Sequence, residues 1–236
     1  MITDKKTLDE IFKLRSTFQN DYSRKLAIAE FPEAVQRIIN SGEKLTPGHC
    51  TPEALEELYI SRLAVIEPRF MLDEDCAPVI RLIADRLTGG VTAKRGLMLL
   101  GGIGSGKTLL MRGMVDVLWC FNIEARLVPT YVLTENYGRD GMSALGRFQY
   151  SGHEIYPGST TIILDDLGAE DIVSHYGQPI NVVAEVLLRR YDNRALTFGT
   201  SNLDQRTIRK FYGERVWSRM KEMFNFIELK GEDRRK

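Results

Sequence analysis

Two stretches of this chain carry residue types and spacing suited to a polyphosphate and a divalent cation. Gly101-Gly102-Ile103-Gly104-Ser105-Gly106-Lys107-Thr108 fits the phosphate-loop pattern G-x-x-x-x-G-K-[ST] in full. Glycines at 104 and 106 leave room for backbone N–H groups to wrap phosphate oxygens, and a helix opening at Thr108 adds unpaired donors and an aligned dipole. Lys107 would reach the β- and γ-phosphates as a point charge, and the Thr108 hydroxyl would coordinate Mg²⁺. The expected nucleotide-binding residues are therefore Gly102, Ile103, Gly104, Ser105, Gly106, Lys107, Thr108 and Leu109.

Downstream, Thr160-Thr161-Ile162-Ile163-Leu164-Asp165-Asp166-Leu167 is a buried-strand pattern ending in two carboxylates, the form of a Walker B strand. Asp165 would hold Mg²⁺ through water, since that cation keeps much of its hydration shell. Asp166 stands where a carboxylate could polarise the attacking water. The structural alternative is that both acids cap the turn before Gly168. A third strand, Thr197-Phe198-Gly199-Thr200-Ser201, ends at Asn202. That amide would lie beside Asp165 at the carboxyl edge of the sheet and orient water or touch the γ-phosphate, although an Asn after a strand is commonly a turn residue.

These groups need elements to carry them. Leu97–Leu100 reads as a strand and Thr108–Phe121 as a helix, the order a phosphate loop requires. From Gly96 onward short apolar runs alternate with helices, the rhythm of βαβ units. Further strands are expected at Ala125–Val128, Thr161–Leu164, Leu196–Thr200 and Phe226–Leu229, and helices at Thr130–Tyr137, Ser143–Tyr150, Pro179–Asp192 and Leu203–Tyr212. Before Gly96 the chain reads as helical. A capping box at Thr7 and Glu10 opens one helix, a second runs from Asp21 toward Asn40 through Pro32, and Thr51-Pro52-Glu53 starts a third that reaches Val65. A fourth spans Ala77–Leu87 and stops at Gly89-Gly90. The expected fold is a three-layer α/β/α P-loop domain with a mostly parallel five-stranded sheet over residues 77–236, preceded by a helical region at 1–76.

Composition fits one sizeable core with an appendage: 236 residues, 43% hydrophobic and 27% charged. Thirty-two basic and 32 acidic residues give zero formal charge, so no global field draws the chain to nucleic acid or an anionic membrane. Any DNA contact must be local, and Arg206, Arg209, Lys210, Arg215 and Arg219 form the one basic stretch suited to it, unless they are a solvated helix face. Cys50, Cys76 and Cys120 lack the spacing of a zinc or redox motif and read as reduced thiols. His49, His153 and His175 lack ligand spacing. The first residues contain no signal-peptide core and no run is long enough to cross a bilayer, so a cytoplasmic location is expected.

Together with Leu164-Asp165-Asp166-Leu167-Gly168, Thr200-Ser201-Asn202 and Tyr212-Gly213-Glu214-Arg215-Val216-Trp217-Ser218-Arg219-Met220, the phosphate loop resembles the DnaC-type helicase loaders and IstB-type transposition ATPases of the AAA+ superfamily. The resemblance runs from about Gly96 to Leu229. It implies that Asn202 is the sensor-1 residue, that Arg219 is an arginine finger reaching the nucleotide of a neighbouring copy, and that Arg215 is a second basic position. Lys107, Asp166, Asn202 and Arg219 are thus the catalytic candidates, with Thr108 and Asp165 as the metal pair. The alternative for Arg215 and Arg219 is a solvated i, i+4 stripe.

The second Walker B acid is Asp166 where Glu is usual across AAA+ proteins, so slow switch-like hydrolysis is expected. The resemblance also implies a domain with no C-terminal helical lid. The leading expectation is an ATP- and Mg²⁺-dependent homo-oligomer acting on DNA, single-stranded DNA included, in replication by loading a replicative helicase through its N-terminal helices. The alternatives are a transposition helper partnered by a transposase, a nucleotide-gated binding module with little turnover, and a small-molecule phosphotransferase. Glu67 to Leu72 is a candidate adenine-side segment.

Overall fold

The computed structural model describes residues 1–17, 36, 45–89, 96–149, 161–175 and 178–230. The expected helix from Asp21 toward Asn40, apart from Gln36, and His153 lie outside them. The chain divides into two compact units, 1–91 with 116–122, and 92–115 with 123–236.

The first unit is helical. Its N-terminus is pinned by a parallel bridge from Ile2 to Cys50, with Ile2 N–H donating to the His49 carbonyl (2.7 Å) and Thr51 N–H to the Ile2 carbonyl (2.8 Å). Helix α1 spans Lys5–Thr17. Asp4, not Thr7, caps it: Thr7 sits inside the first turn, where its N–H and hydroxyl both donate to the Asp4 carboxylate at 2.8 Å. A carboxylate outcompetes a hydroxyl there because it also complements the helix dipole. Helix α2 is Pro52–Ile66, capped by the Thr51 hydroxyl as expected, and α3 is Ala77–Leu87, ending before Gly89 at φ 95°. Leu8, Ile11, Leu55, Leu58, Tyr59, Leu63, Ile80 and Ile83 are buried in this unit. Cys50 and Cys76 are buried free thiols and Cys120 is half-buried; burial pushes the Cys50 thiol up to about 12.

The second unit carries a five-stranded sheet, β1 Gly96–Leu100, β2 Ala125–Pro129, β3 Thr161–Asp165, β6 Thr197–Ser201 and β7 Phe224–Glu228, in the order β2-β3-β6-β1-β7 with every pairing parallel. Helices cover both faces, so the three central strands are buried at all five positions, while the edge strands β2 and β7 are partly exposed. The helices are α4 Lys107–Cys120, α5 Thr130–Asp140, α6 Gly146–Gln149, α7 Val182–Asp192 and α8 Gln205–Met223. This is the expected three-layer α/β/α architecture, with the sheet wholly rather than mostly parallel.

Three local expectations change. Pro179 does not start a helix: Gln178–Ile180 (β5) pairs antiparallel with Val173–His175 (β4), and α7 begins only after Asn181, whose side chain accepts the Ala184 N–H at 2.9 Å. The helix expected over Ser143–Tyr150 is a 3-10 turn, Gly141–Leu145, followed by the short α6. The helix expected to end at Tyr212 breaks at Gly213 (φ 78°, ψ 167°) and resumes to Met223, so the last strand starts earlier, at Phe224.

Arg190 on α7 is wholly buried and ties three elements together. Its guanidinium donates to the Thr197 hydroxyl (2.8 Å), the Phe148 carbonyl (2.8 Å) and the Leu196 carbonyl (2.6 Å). Burial lowers its pKa to about 10, which leaves it a cation at neutral pH. Only a planar fork spans these acceptors; an ammonium is a single point donor. Arg190→Lys is expected to lower unfolding free energy by about 2–4 kcal/mol in urea denaturation, and an unchanged midpoint would show the fork to be dispensable.

Candidate phosphate and metal site

The phosphate loop lies where β1 ends and α4 begins. Gly104 (φ 79°) and Gly106 (φ 95°) both take the left-handed conformation that side chains resist, which explains glycine at those two positions. The loop tip is open, with Gly102 and Ile103 exposed, whereas Ser105 and Lys107 are buried. Lys107 is 4% exposed, and its ammonium donates to the carbonyls of Gly101 (2.9 Å) and Gly102 (2.8 Å) and to Asn202 Oδ1 (2.8 Å). The loop thus curls around its own lysine.

The parallel register brings the remaining candidates to the same edge. Leu164 of β3 pairs with Gly199 of β6, and Leu99 of β1 pairs with Thr200, so the ends of β1, β3 and β6 stand side by side. The Thr108 hydroxyl donates to Asp165 at 3.0 and 3.2 Å to its two oxygens, and the Thr200 hydroxyl donates to Asp165 Oδ1 at 2.6 Å. A buried carboxylate beside a helix-start hydroxyl is a donor set suited to a hard cation that retains water. Among the described residues no group of three or more His, Cys, Asp or Glu forms a metal cage, which leaves this hydroxyl–carboxylate pair as the metal candidate.

Asp166 adopts φ 59°, tolerated by Asp better than by most residues. Three elements hold it there. Its N–H donates to Thr200 Oγ1 (2.9 Å), its carbonyl accepts from Thr130 Oγ1 on α5 (3.0 Å), and its Oδ1 accepts from Asn202 Nδ2 (3.2 Å). Asn202 therefore links Lys107 to Asp166 through the two ends of one amide. In the turn that follows, the Gly168 N–H donates to Glu170 Oε2 at 2.7 Å. Thr130, the first residue of α5, and Thr200, near the end of β6, received no role from sequence.

Arg219 stands elsewhere. It lies five residues before β7 begins, and its guanidinium sits 4.7 Å from the ring centroid of Tyr191, near the end of α7 just before β6. Glu222 Oε1 is 3.6 Å from Arg219 Nη1 and also accepts from the Tyr191 hydroxyl through Oε2 (2.6 Å). Both helices run into strand starts there, so Arg219 is at the sheet edge opposite the phosphate loop, with a five-residue strand of about 16 Å between the two edges. Arg215 is exposed on the same helical half, and Arg209 pairs with Glu214.

No family model and no curated protein matches the chain in sequence. Solved structures do. The chain is similar to DnaI (23% identity over 71% of this chain and 89% of that one, TM-score 0.55) and to the DnaC helicase loader (19%, 70% and 96%, TM-score 0.54). It is also similar to a putative primosome component from Streptococcus pyogenes serotype M3 (20%, 69% and 84%, TM-score 0.53). At these identities the likeness establishes the fold alone, a three-layer α/β/α domain built on a parallel sheet. No described helix is long and apolar enough to cross a membrane.

The Thr200 hydroxyl serves both acids at once, accepting from Asp166 and donating to Asp165. Thr200→Val is expected to lower unfolding free energy by about 1–3 kcal/mol, while Thr200→Ser keeps most of it; a loss in Thr200→Ser with none in Thr200→Val would assign the effect to the methyl group instead.

Proposed function

We propose that this chain is a DnaC-type AAA+ ATPase that switches a homo-oligomer with ATP and Mg²⁺ and delivers a replicative helicase to DNA. The observation that carries the reading is the convergence of Lys107, Thr108, Asp165, Asp166 and Asn202 into one hydrogen-bonded cluster at the carboxyl edge of a parallel sheet. The fold shared with a helicase loader supports the choice of partner.

Gly102 to Leu109 wrap the phosphates with backbone N–H groups, and Lys107 turns its ammonium from the loop carbonyls to the β- and γ-phosphate oxygens. Thr108 and Asp165 hold the Mg²⁺, which supplies charge neutralisation on the β- and γ-oxygens. Asp166 orients a water and takes its proton as the water oxygen bonds to the γ-phosphorus; the bond to the β–γ bridging oxygen breaks, and ADP and phosphate leave. Asn202 aligns the water against the γ-phosphate. Arg219, remote from its own loop, reaches the γ-phosphate of the next copy, where a guanidinium stabilises the developing charge. Binding orders the interface and hydrolysis releases it. Residues 1–76 grip the helicase, residues 77–236 form the ATPase domain, and the exposed basic residues of α8 meet DNA phosphates in the cytoplasm.

Lys107→Ala is expected to abolish ATP binding by equilibrium dialysis in protein that still folds by circular dichroism, with a thermal midpoint lowered by the loss of the buried lysine's hydrogen bonds. Asp166→Glu is expected to hydrolyse ATP at least as fast as the wild type; a complete loss would show that the shorter acid is required by the geometry. The partner is tested by capture from lysate: a hexameric helicase retained in ATP and lost in ADP supports the reading, and a transposase in its place overturns it.

A further inference from the structure

The turn that follows Asp166 is bolted to the helix that carries Arg219, through two buried side chains that the chemistry above leaves unused. Glu170 is 4% exposed and Tyr212 is 7% exposed. One Glu170 oxygen accepts the Gly168 N–H at 2.7 Å, and the other accepts the Tyr212 hydroxyl at 2.5 Å. Gly168 is two residues beyond Asp166 and is itself locked: at φ 90° it tolerates no side chain, and an added Cβ would stand 2.3 Å from Leu203 Cδ1, next to Asn202. Any displacement of the Asp166 turn therefore moves the Gly168 N–H that Glu170 holds.

The other end of the bridge is equally specific. Tyr212 is the last residue before the break at Gly213, where α8 leaves helical geometry and sets off again toward Arg215, Trp217 and Arg219. The resumed half is stiff, because Val216, Trp217 and Met220 are buried and the Trp217 ring packs 5.1 Å from Phe226 of β7. The direction of this short helix is set from both ends, by the packing of Trp217 on Phe226 and by whatever fixes the residue before the hinge. A carboxylate shared between a backbone N–H and a phenol, out of water, fixes it well, since ionised acceptors make the stronger hydrogen bonds. Burial and the neighbouring carboxylate also push the Tyr212 phenol well above its ordinary pKa, keeping it a donor.

We infer that Glu170 and Tyr212 form a strut that couples the Asp166 turn of one subunit to the direction of that subunit's own Arg219, so that each copy's nucleotide site governs the finger it offers to the next. Both are positioning residues. The inference rests on the trans action of Arg219 proposed above and adds the physical link by which one site informs its neighbour.

Tyr212→Phe keeps the ring and removes the donor; Glu170→Gln keeps the shape and spoils one of the two bonds. Each variant is expected to bind ATP within about twofold of the wild type and to hydrolyse it about tenfold more slowly. A structural weakening alone would leave the mixed-subunit readout flat. Tyr212→Phe subunits are therefore mixed in equimolar amounts with Lys107→Ala subunits, with assembly followed by light scattering. At mixed interfaces an intact Tyr212→Phe site meets an unaltered finger, so turnover is expected to exceed the average of the two separate proteins several-fold. Arg219→Ala mixed with Lys107→Ala runs alongside. Recovery in that control without recovery for Tyr212→Phe overturns the strut and leaves the trans finger standing. No recovery in either mixture removes the trans finger and the strut with it. Unchanged turnover in Tyr212→Phe alone also overturns the strut. Should Tyr212→Phe fail to fold, Glu170→Gln carries the same mixtures.

Discussion

A buried ammonium must be surrounded by acceptors, and the placement of Lys107 organises the site around that requirement. At 4% exposure its charge is met by two loop carbonyls and the Asn202 amide oxygen. The carbonyls fix the curl of the loop. The amide, once its oxygen is committed to Lys107, has only its nitrogen left, and that nitrogen finds Asp166. One cation thereby sets the orientation of an acid on a different strand. The Asp165 carboxylate next to it obeys the same rule with the opposite charge, taking hydroxyls from Thr108 and Thr200.

The same parallel sheet that gathers five residues at one edge sends Arg219 to the other. Strand β6 ends in the site, α8 must return along the sheet to start β7, and Arg219 lies on the final turns of that return. Parallel topology gives no alternative, because a crossover between parallel strands always travels from the carboxyl edge back to the amino edge. The arginine is then stacked on Tyr191 and tethered by Glu222, half exposed, rather than sunk in a core. A guanidinium held at the surface by one ring and one carboxylate is preorganised toward an outside partner. Under the proposed trans action of Arg219, one subunit carries two half-sites.

Legibility in the sequence followed burial. The three central strands β1, β3 and β6 are covered on both faces; β1 and β3 read as apolar runs and β6 as a short strand with a polar tip, so the strand ends that carry the phosphate loop, Asp165, Asp166 and Asn202 were legible in the sequence. Signals weakened where packing decided. Asp4, which the capping-box pattern passes over, displaces Thr7 as the α1 cap, since only geometry shows which residue lies just outside the first turn. The β4–β5 hairpin consists of three-residue strands, one of them containing Pro179, too short for any periodicity. Gly213 read as a helix end and is a hinge, since the resumed helix is held by Trp217 against Phe226 rather than by its own propensity. The Glu170–Tyr212 bond joins residues 42 positions apart and leaves no local pattern at all.

The central claim is that the cluster around Lys107 is half of a site and that a second copy supplies Arg219. Specific MgATP hydrolysis measured across protein concentration, alongside mass determination by light scattering, tests it most directly. Turnover per subunit is predicted to rise steeply where copies associate and to fall on the order of a thousandfold toward the monomer, the scale of an arginine-finger contribution. Constant turnover per subunit through the association range would contradict the account, since a site that works alone needs nothing from its neighbour.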